Sequence, residues 1–346
     1  MKLNEICSKG KSSLRQKDVF NDGPYIVYGA SGVIGTTSDY QNEIPYVAIV
    51  KDGAGVGRAN ACEPMTSVLG TMQALIPNPN VERDYLLHLV RSLRLGEGFS
   101  GSTIPHIYFK DYGRIEVPLP PLGAQKRIVS QLGLVEAQIT QAEAQIEQLD
   151  RLVKSRFVEM FGDPTNNKFD FPVEKLGGLG LLERGKSKHR PRNAPELRGG
   201  PNGPYPLIQT GDIANAGTYL ATYEDTYTEL GLLQSRIWPK GTLCITIAAN
   251  IAKTSILAID ACFPDSVVGF TTNGKVTNLF MHYWFSFFQS ILEKQAPQAA
   301  QKNINLRILQ NLDVIAPPLA LQQEFADFVA QVDKSRFVRD HEINFR

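Results

Sequence analysis

The sequence predicts an α+β protein of two tandem globules, each built of strands and short helices and each followed by a long helix. Three observations lead to this prediction. Short sequence blocks recur in the same order in both halves of the chain. Each half ends on a Pro-Pro-Leu boundary, and heptad spacing follows the first of them. The length of 346 residues suits two domains of ordinary size.

The internal repeat consists of four pairs of blocks that keep their order and nearly their spacing. The pairs are IEVPLPPL (115–122) with LDVIAPPL (312–319), IPHIYF (104–109) with QKNINL (301–306), KDGAGVGR (51–58) with TIAANIAK (246–253), and MTSVLG (65–70) with PDSVVG (264–269). A glutamine-containing helical start follows each Pro-Pro-Leu. Four ordered matches indicate a duplication.

The repeat predicts four segments along the chain. They are a first globule at 1–121, a long coiled-coil helix at 122–162, a second globule at 163–318 and a shortened C-terminal helix at 319–346.

The long helix is predicted from a proline-free stretch in which apolar residues recur at steps of four and three. These residues are Ile128, Leu132, Val135, Ile139, Ala142, Ile146, Leu149 and Val153. Such a seam favours pairing with another helix over a lone amphipathic surface helix.

The second helix begins with equally good spacing, at Leu321, Phe325, Phe328 and Val332, and then becomes charged. We therefore expect it to pack antiparallel against the first helix and to leave part of the first seam without a partner in the chain. An exposed seam favours association, either as a homodimer or with a helix of another subunit. The predicted subunit interface is Ile139, Ile146, Leu149, Val153 and Phe157.

Composition excludes several classes of protein. The four cysteines are scattered and the five histidines form no HxH or HExxH cluster, so neither a disulfide framework nor a zinc site is expected. The first residues have no apolar core of a signal peptide, and we expect no membrane span and a cytoplasmic location. The net charge of +1 is compatible with a small basic face.

Two glycine-rich motifs point toward enzymes and are interpreted otherwise. GLLERGKS (180–187) has the spacing of a P-loop, but Pro191 and Pro195 would break the helix that a P-loop requires. GASGVIG (29–35) resembles a dinucleotide-binding turn, yet the polar residues after it do not predict a helix, and turn glycines are the better interpretation.

The order of globule, Pro-Pro-Leu boundary and coil, repeated twice, resembles the specificity subunit of type I restriction-modification enzymes. The matching stretches are PLPPLGAQKRIV (118–129), AAQKNINLRILQNLDVIAPPLALQQEF (299–325) and VDKSRF (332–337). The chain departs from this family in its second coil, which resembles the family's for only two or three heptads.

This resemblance implies two target recognition domains, each reading one half of a split site in double-stranded DNA. It implies coils that carry modification (methyltransferase) subunits and a restriction subunit. It also implies no catalysis and no cofactor on this chain, with S-adenosylmethionine and ATP expected on the partner subunits. The alternatives are a P-loop nucleotide-hydrolysing enzyme using Gly180–Ser187 and a coiled-coil scaffold without DNA binding.

The predicted DNA-binding residues are mostly basic. Between Arg184 and Arg198, six basic side chains accompany one acidic residue, Glu196, in a stretch that we expect to be extended and exposed; its alternative interpretation is a solvated loop. Arg58 and Lys253 end equivalent blocks, as His106 and Asn303 precede equivalent boundaries. The complete set is Lys51, Arg58, His106, Arg184, Lys186, Lys188, Arg190, Arg192, Asn250, Lys253, Lys302 and Asn303.

Overall fold

The computed structural model describes residues 1–98, 105–188, 191, 194–248, 251–288, 290–291 and 304–343, with side chains of the last helix as far as Arg336. The chain divides into two compact units, Met1–Thr140 and Gln141–Arg346.

The first unit contains two sheets and several short helices. Its strands are β1 (Cys7–Lys9), β2 (Tyr25–Gly29), β3 (Gly32–Thr37), β4 (Tyr46–Val50), β5 (Ala59–Cys62), β6 (Ser67–Val68) and β7 (Met72–Pro77). Its helices are α1 (Leu3–Ile6), α2 (Arg83–Ser92), α3 (Phe109–Tyr112) and the first half of α4 (Leu122–Phe161), with 3-10 turns at Gln16–Asp18 and Leu95–Glu97.

Strand β4 occupies the centre of the main sheet, whose antiparallel order is β1-β7-β4-β5. All five residues of β4 are buried, because alternate side chains enter different cores. Val47 and Ile49 pack in the core that contains Leu86 of α2, whereas Tyr46 and Ala48 pack in a second core beside the small sheet β3-β2-β6.

The second unit repeats this plan and enlarges it. Its strands are β8 (Val173–Lys175), β9 (Gly180–Arg184), β10 (Tyr205–Leu207), β11 (Tyr219–Leu220), β12 (Asp225–Tyr227), β13 (Ile237–Trp238), β14 (Leu243–Thr246), β15 (Thr254–Leu257), β16 (Ala261–Cys262), β17 (Val267–Thr272) and β18 (Asp313–Ile315). Its helices are the second half of α4, then α5 (Leu176–Leu179), α6 (Thr210–Asn215), α7 (Glu229–Leu233), α8 (Asn278–Phe285), α9 (Leu306–Gln310) and α10 (Leu319–Ile343), with 3-10 turns at Pro195–Leu197 and Gly200–Asn202.

Strand order confirms the predicted duplication. The main sheet of the second unit runs β11-β15-β14-β17-β9, so β9, β17, β14 and β15 take the places of β1, β7, β4 and β5. The registers agree, since Val50 pairs with Met72 and Thr246 with Val267. The α+β fold of two tandem globules is thereby confirmed.

One of the four sequence matches is wrong in register. Val68, in the MTSVLG block, lies in β6 and pairs with β2 in the small sheet. Val267 and Val268, in the PDSVVG block, lie in β17 of the main sheet. The two blocks share letters but occupy different strands, because β17 corresponds to β7, which begins at Met72.

Helix α4 is 40 residues long, which corresponds to about 60 Å. It ends at Phe161, and Gly162 follows it with a left-handed φ of 76°. Its two halves have different surroundings. Leu132 and Val135 are 37% and 50% exposed, whereas Val153 and Phe157 are almost completely buried.

The prediction that the distal seam lacks a partner in the chain is wrong for Val153 and Phe157. The ring of Phe157 lies 4.9 to 5.6 Å from those of Phe161, Phe280, Phe287 and Phe325, so it is central to the core of the second unit. Leu149 is partly buried against the same core, and Ile139 and Ile146 are half-buried. Sequence spacing marks an apolar face but does not reveal whether a globule or a helix covers it.

Helix α10 lies antiparallel to the second half of α4, as predicted. Arg156 Nη2 donates to Glu324 Oε1 at 2.9 Å, and Arg336 pairs with Asp150 farther back along α4. Phe325 of α10 packs on Phe157 and Phe161. The pairing of α10 with α4 therefore begins in the core of the second unit.

Candidate nucleic-acid interface

The KDGAGVGR block forms the tip of the β4–β5 hairpin in the first unit. Gly53, Gly55 and Gly57 have φ values of 87°, 88° and 85°, a conformation that side chains with a Cβ rarely adopt. A Cβ on Gly57 would lie 2.3 Å from the backbone nitrogen of Gly96. The glycines therefore shape a compact tip, and exposed Arg58 closes it with its Nε donating to Gly55 O at 3.3 Å.

His106 lies against this tip. Its Nδ1 is 2.6 Å from Asp52 Oδ1, and both side chains are about one-third exposed. Backbone bonds reinforce the contact, because Gly53 N donates to Pro105 O and Ile107 N donates to Lys51 O, each at 3.0 Å. The structure thus brings three predicted residues, Lys51, Arg58 and His106, to one end of the main sheet.

The β14–β15 hairpin places Lys253 at the corresponding position of the second unit. Ile49 pairs with Ala59 as Ile245 pairs with Thr254, so Arg58 and Lys253 both directly precede the second strand of the hairpin. Lys253 is exposed, and its backbone N–H donates to Thr246 Oγ1 at 3.0 Å. The predicted equivalence of Arg58 and Lys253 therefore agrees with the strand register.

A half-buried histidine of α8 contacts this hairpin. His282 of α8 is hydrogen-bonded through Nδ1 to Thr254 Oγ1 at 3.0 Å. Burial, with a smaller effect of the Lys154 charge, lowers the pKa of His282 to about 4. His282 is therefore neutral near pH 7.

The basic run beginning at Arg184 lies beside the same hairpin. Gly185 N donates to Val267 O at 2.9 Å, and Ile247 N donates to Ser266 O at 3.0 Å, so the two segments flank the start of β17. Arg184, Lys186 and Lys188 are exposed, while Gly185 and Ser187 between them are buried. These alternating side chains and Lys253 meet at one end of the sheet.

The expectation of an extended and exposed stretch is wrong at its far end. Residues 195–197 form a 3-10 turn, with Ala194 and Leu197 buried. Arg198 Nη1 lies 2.5 Å from Asp225 Oδ2, and its guanidinium lies over the ring of Tyr227. Buried Leu197 and the ion pair between Arg198 and Asp225 keep this end of the run packed on the second unit.

The remaining predicted residues lie outside the described part of the chain. They are Arg190, Arg192, Asn250, Lys302 and Asn303.

The enzyme-like motifs take structural roles. Gly180 to Arg184 form the edge strand β9, with Gly180 opposite Thr272, and residues 185–188 are not helical. GASGVIG is the turn of the antiparallel β2–β3 hairpin, in which Gly29 pairs with Gly32. Neither segment has the strand-loop-helix geometry that phosphate loops use.

Sequence reasoning missed the basic residues at the corresponding edge of the first unit. Lys9, Lys11 and Arg15 are exposed, and half-buried Gly10, Ser12 and Leu14 alternate with them. The available signal was the repetition of KGKS (9–12) as RGKS (184–187). RGKS lies in the predicted basic run, whereas KGKS was not among the predicted DNA-binding residues.

Among the described residues, no cluster of three histidine, cysteine or acidic side chains has the geometry of a metal site. Within the same residues, no helix is long and apolar enough to cross a membrane. All four cysteines are buried and unpaired.

Comparisons with known proteins point to one family. The model of the type I restriction modification DNA specificity domain matches residues 1–151 and 170–343. The chain is 24% identical over 280 residues to the putative type I restriction enzyme MjaX specificity subunit of Methanocaldococcus jannaschii, covering 75% of this chain and 63% of that protein. It is 24% identical over 263 residues to the type I restriction enzyme EcoBI specificity subunit of Escherichia coli, covering 67% of this chain and 54% of that protein.

The matches therefore span 63% and 54% of these two relatives' length. The S subunit of a type I restriction-modification system from M. genitalium has a similar fold, with a TM-score of 0.57 and 14% sequence identity. The match covers 99% of this chain and 91% of that one.

Proposed function

Since the chain belongs to the type I restriction modification DNA specificity domain family, we propose that it reads a DNA sequence for a type I restriction-modification complex. The observation that carries this proposal is the duplicated basic edge. In the first unit, exposed basic residues at the end of β1 lie at the same end of the main sheet as Arg58 of the β4–β5 hairpin. In the second unit, those at the end of β9 lie at the same end as Lys253 of the β14–β15 hairpin. Two equivalent basic edges suit a reader of two half-sites.

The target is a bipartite site in double-stranded DNA, with each globule reading one block. The blocks are separated by an unread spacer, since a single helix, α4, joins the two globules that read them. Lys51, Arg58 and His106 serve the first block, while Lys253 and the run from Arg184 serve the second. Arg190, Arg192, Asn250, Lys302 and Asn303 belong to the same proposal.

The coils carry the partner subunits. The exposed seam residues Ile128, Leu132 and Val135 of α4, which Ile139 continues, offer an apolar stripe to modification subunits, to the restriction subunit or to a second copy of this chain. Val153 and Phe157 take no part, because they are buried within the second unit.

The chain itself is a non-catalytic subunit and binds neither S-adenosylmethionine nor ATP. The strand structure of Gly180–Arg184 supports this proposal, because it leaves no P-loop for a nucleotide. Methyl transfer and ATP-driven cleavage then belong to the partner subunits.

Selection from a random DNA pool tests the function. The full-length chain, alone and co-purified with modification subunits, is expected to enrich two short blocks at one fixed spacing. Enrichment of no sequence would favour a coiled-coil scaffold. A stoichiometric ATPase that is lost on Lys186→Ala would favour the nucleotide-hydrolysing enzyme.

A further inference from the structure

The repeated basic-Gly-Lys-Ser motif lies at the same strand exit in both units. Lys9 is the last residue of β1, and Arg184 is the last residue of β9. Both strands pair antiparallel with the strand that leads toward the helix behind the sheet, β7 and β17 respectively. Lys9 lies opposite Leu75 and Arg184 lies opposite Val268, and Val268 corresponds to Gln73 in the strand register. RGKS is therefore offset by two residues from KGKS, but both motifs leave the main sheet at the same end.

The motif's glycine serves packing and makes no phosphate loop. A Cβ on Gly10 would lie 2.4 Å from Asn42 Oδ1 and 2.9 Å from the Cβ of Ala74. A Cβ on Gly185 would lie 2.3 Å from Phe263 O. Each glycine lets the chain run close to its own globule, so the residues on either side face outward.

The backbone of the motif is anchored in both units. Asn42, which is almost fully buried, accepts from Lys11 N through Oδ1 and donates to Lys11 O through Nδ2, each at 3.0 Å. In the second unit, Gly185 N donates to Val267 O at 2.9 Å and Ser187 is 5% exposed. A solvated loop would lack such anchors, so Lys11 and Lys186 are held at defined positions.

The first basic residue of each motif has a contact in its own globule. Lys9 Nζ lies 5.7 Å from the ring centre of Phe109, and Arg184 Nε donates to Asp265 O at 2.9 Å. The lysine that follows each glycine is exposed. Among the described residues, neither lysine has an acidic side chain within salt-bridge distance.

These observations point to the DNA backbone as the ligand. A lysine ammonium is a compact charge with three rotatable donors that suits phosphate oxygens, whereas the planar fork of arginine is better shaped for two-point recognition of a base edge. Same-face side chains of an extended chain are about 6.7 Å apart, a spacing that lets neighbouring basic residues follow one DNA strand.

Resting on the proposed function, we propose that Lys11 and Lys186 are phosphate contacts, one in each half-site. They position each globule on the DNA and carry no sequence information. The hairpin tips, which lie beside them, contact the bases.

The test uses the full-length complex and the site that wild-type protein selects, with a random duplex of the same length for comparison. Lys11→Ala and Lys186→Ala should each lower the slope of log affinity against log salt by about 0.9, and the double variant by about 1.8. The change should be the same on both duplexes. Lys11→Arg and Lys186→Arg should retain the slope.

The control is Lys240→Ala, because Lys240 is exposed and precedes β14, at the end of the sheet opposite Lys253. Its slope should remain that of the wild type. Phosphate-ethylation interference should lose signals in one half-site for Lys11→Ala and in the other for Lys186→Ala.

Unchanged slopes, an effect in only one of the two single variants, or a loss confined to the selected site would overturn the proposal. Failure of the wild-type complex to bind any DNA would instead refute the proposed function, and this inference with it. Unfolding free energies within about 0.5 kcal/mol of wild type show that the variants are folded.

Discussion

Gln125 and Gln322 make the same three hydrogen bonds in the two units. Gln125 Oε1 accepts from Glu82 N at 2.8 Å, and Gln322 Oε1 accepts from Thr277 N at 2.7 Å. Gln125 Nε2 donates to Asn80 O and Pro120 O, and Gln322 Nε2 donates to Lys275 O and Pro317 O. Asn80 and Lys275 lie two residues before Glu82 and Thr277, and each proline lies five residues before its glutamine. Both side chains are at most 1% exposed.

This glutamine explains the Pro-Pro-Leu boundary. Glu82 and Thr277 are the N-caps of α2 and α8, so each glutamine joins the first turn of a coil helix to the helix behind the sheet of its own unit. The prolines directly precede each long helix, and the glutamine then fixes the direction in which that helix leaves its unit.

The first prediction concerns this attachment. Gln322→Leu keeps most of the volume but leaves the Thr277 N–H and two carbonyl groups without their partner. We expect a loss of about 1–3 kcal/mol in the free energy of unfolding, measured by urea denaturation. Gln323→Leu is the matched control, because Gln323 is exposed, and should change it by less than about 0.5 kcal/mol. Equal effects of the two changes would contradict the structural role.

The second prediction separates core from seam in α4. Phe157→Ala removes a ring that contacts four other phenylalanines and should lower the free energy of unfolding by about 3–5 kcal/mol. Val158→Ala, at a neighbouring position that is 39% exposed, should change it little. If Phe157→Ala had the same free energy of unfolding as the wild type, Phe157 would not be part of the core and the distal seam would be available as an interface.

The third prediction concerns assembly. Leu132→Glu with Val135→Glu places two charges on the exposed seam and should abolish association with modification subunits, or self-association, in sedimentation experiments. The free energy of unfolding of the isolated chain should stay unchanged. Leu134→Glu is the control, since Leu134 is 65% exposed and lies off the seam. Assembly that survives both seam charges would place the partner elsewhere.

The fourth prediction concerns the end of the basic run. Arg198 pairs with Asp225, and Arg198→Ala should lower stability by about 1.5 kcal/mol because a charged hydrogen bond is lost. The salt dependence of DNA binding should not change. A reduced salt slope with wild-type stability would instead make Arg198 a phosphate contact.

The fifth prediction concerns pH. The pKa of His282 is about 4 in the folded protein, against 6.5 for an unburied histidine. As pH falls below 6.5, His282 binds a proton in the unfolded chain but not in the folded protein. The free energy of unfolding therefore decreases between pH 6.5 and 4. At pH 5 this group accounts for about 2 kcal/mol.

Urea denaturation of wild type and His282→Gln at pH 7.5 and pH 5 measures this effect. The variant should lose about 2 kcal/mol less than the wild type over that interval. Equal losses in the two proteins would show that His282 titrates normally.

The tertiary structure revised the candidate site as well as the seam. Arg198 belongs to the basic run by sequence, yet it pairs with Asp225, which is 27 residues away. His106 was selected for its place before the Pro-Pro-Leu boundary, and its contact with Asp52 crosses 54 residues. Contacts at such separations leave no periodicity in the sequence, so only folding reveals them.

The sequence by itself determined the duplication, the two Pro-Pro-Leu-x-x-Gln boundaries and the long helix between them. These features are local, because a duplication keeps short motifs in order and a helix repeats its apolar residues every three or four positions. The tertiary structure alone decided which half of the helix is core, that the glycine of RGKS packs against Phe263, and that KGKS and RGKS leave their sheets at the same end. Each of these depends on which strands pair, and pairing is set by burial between distant segments.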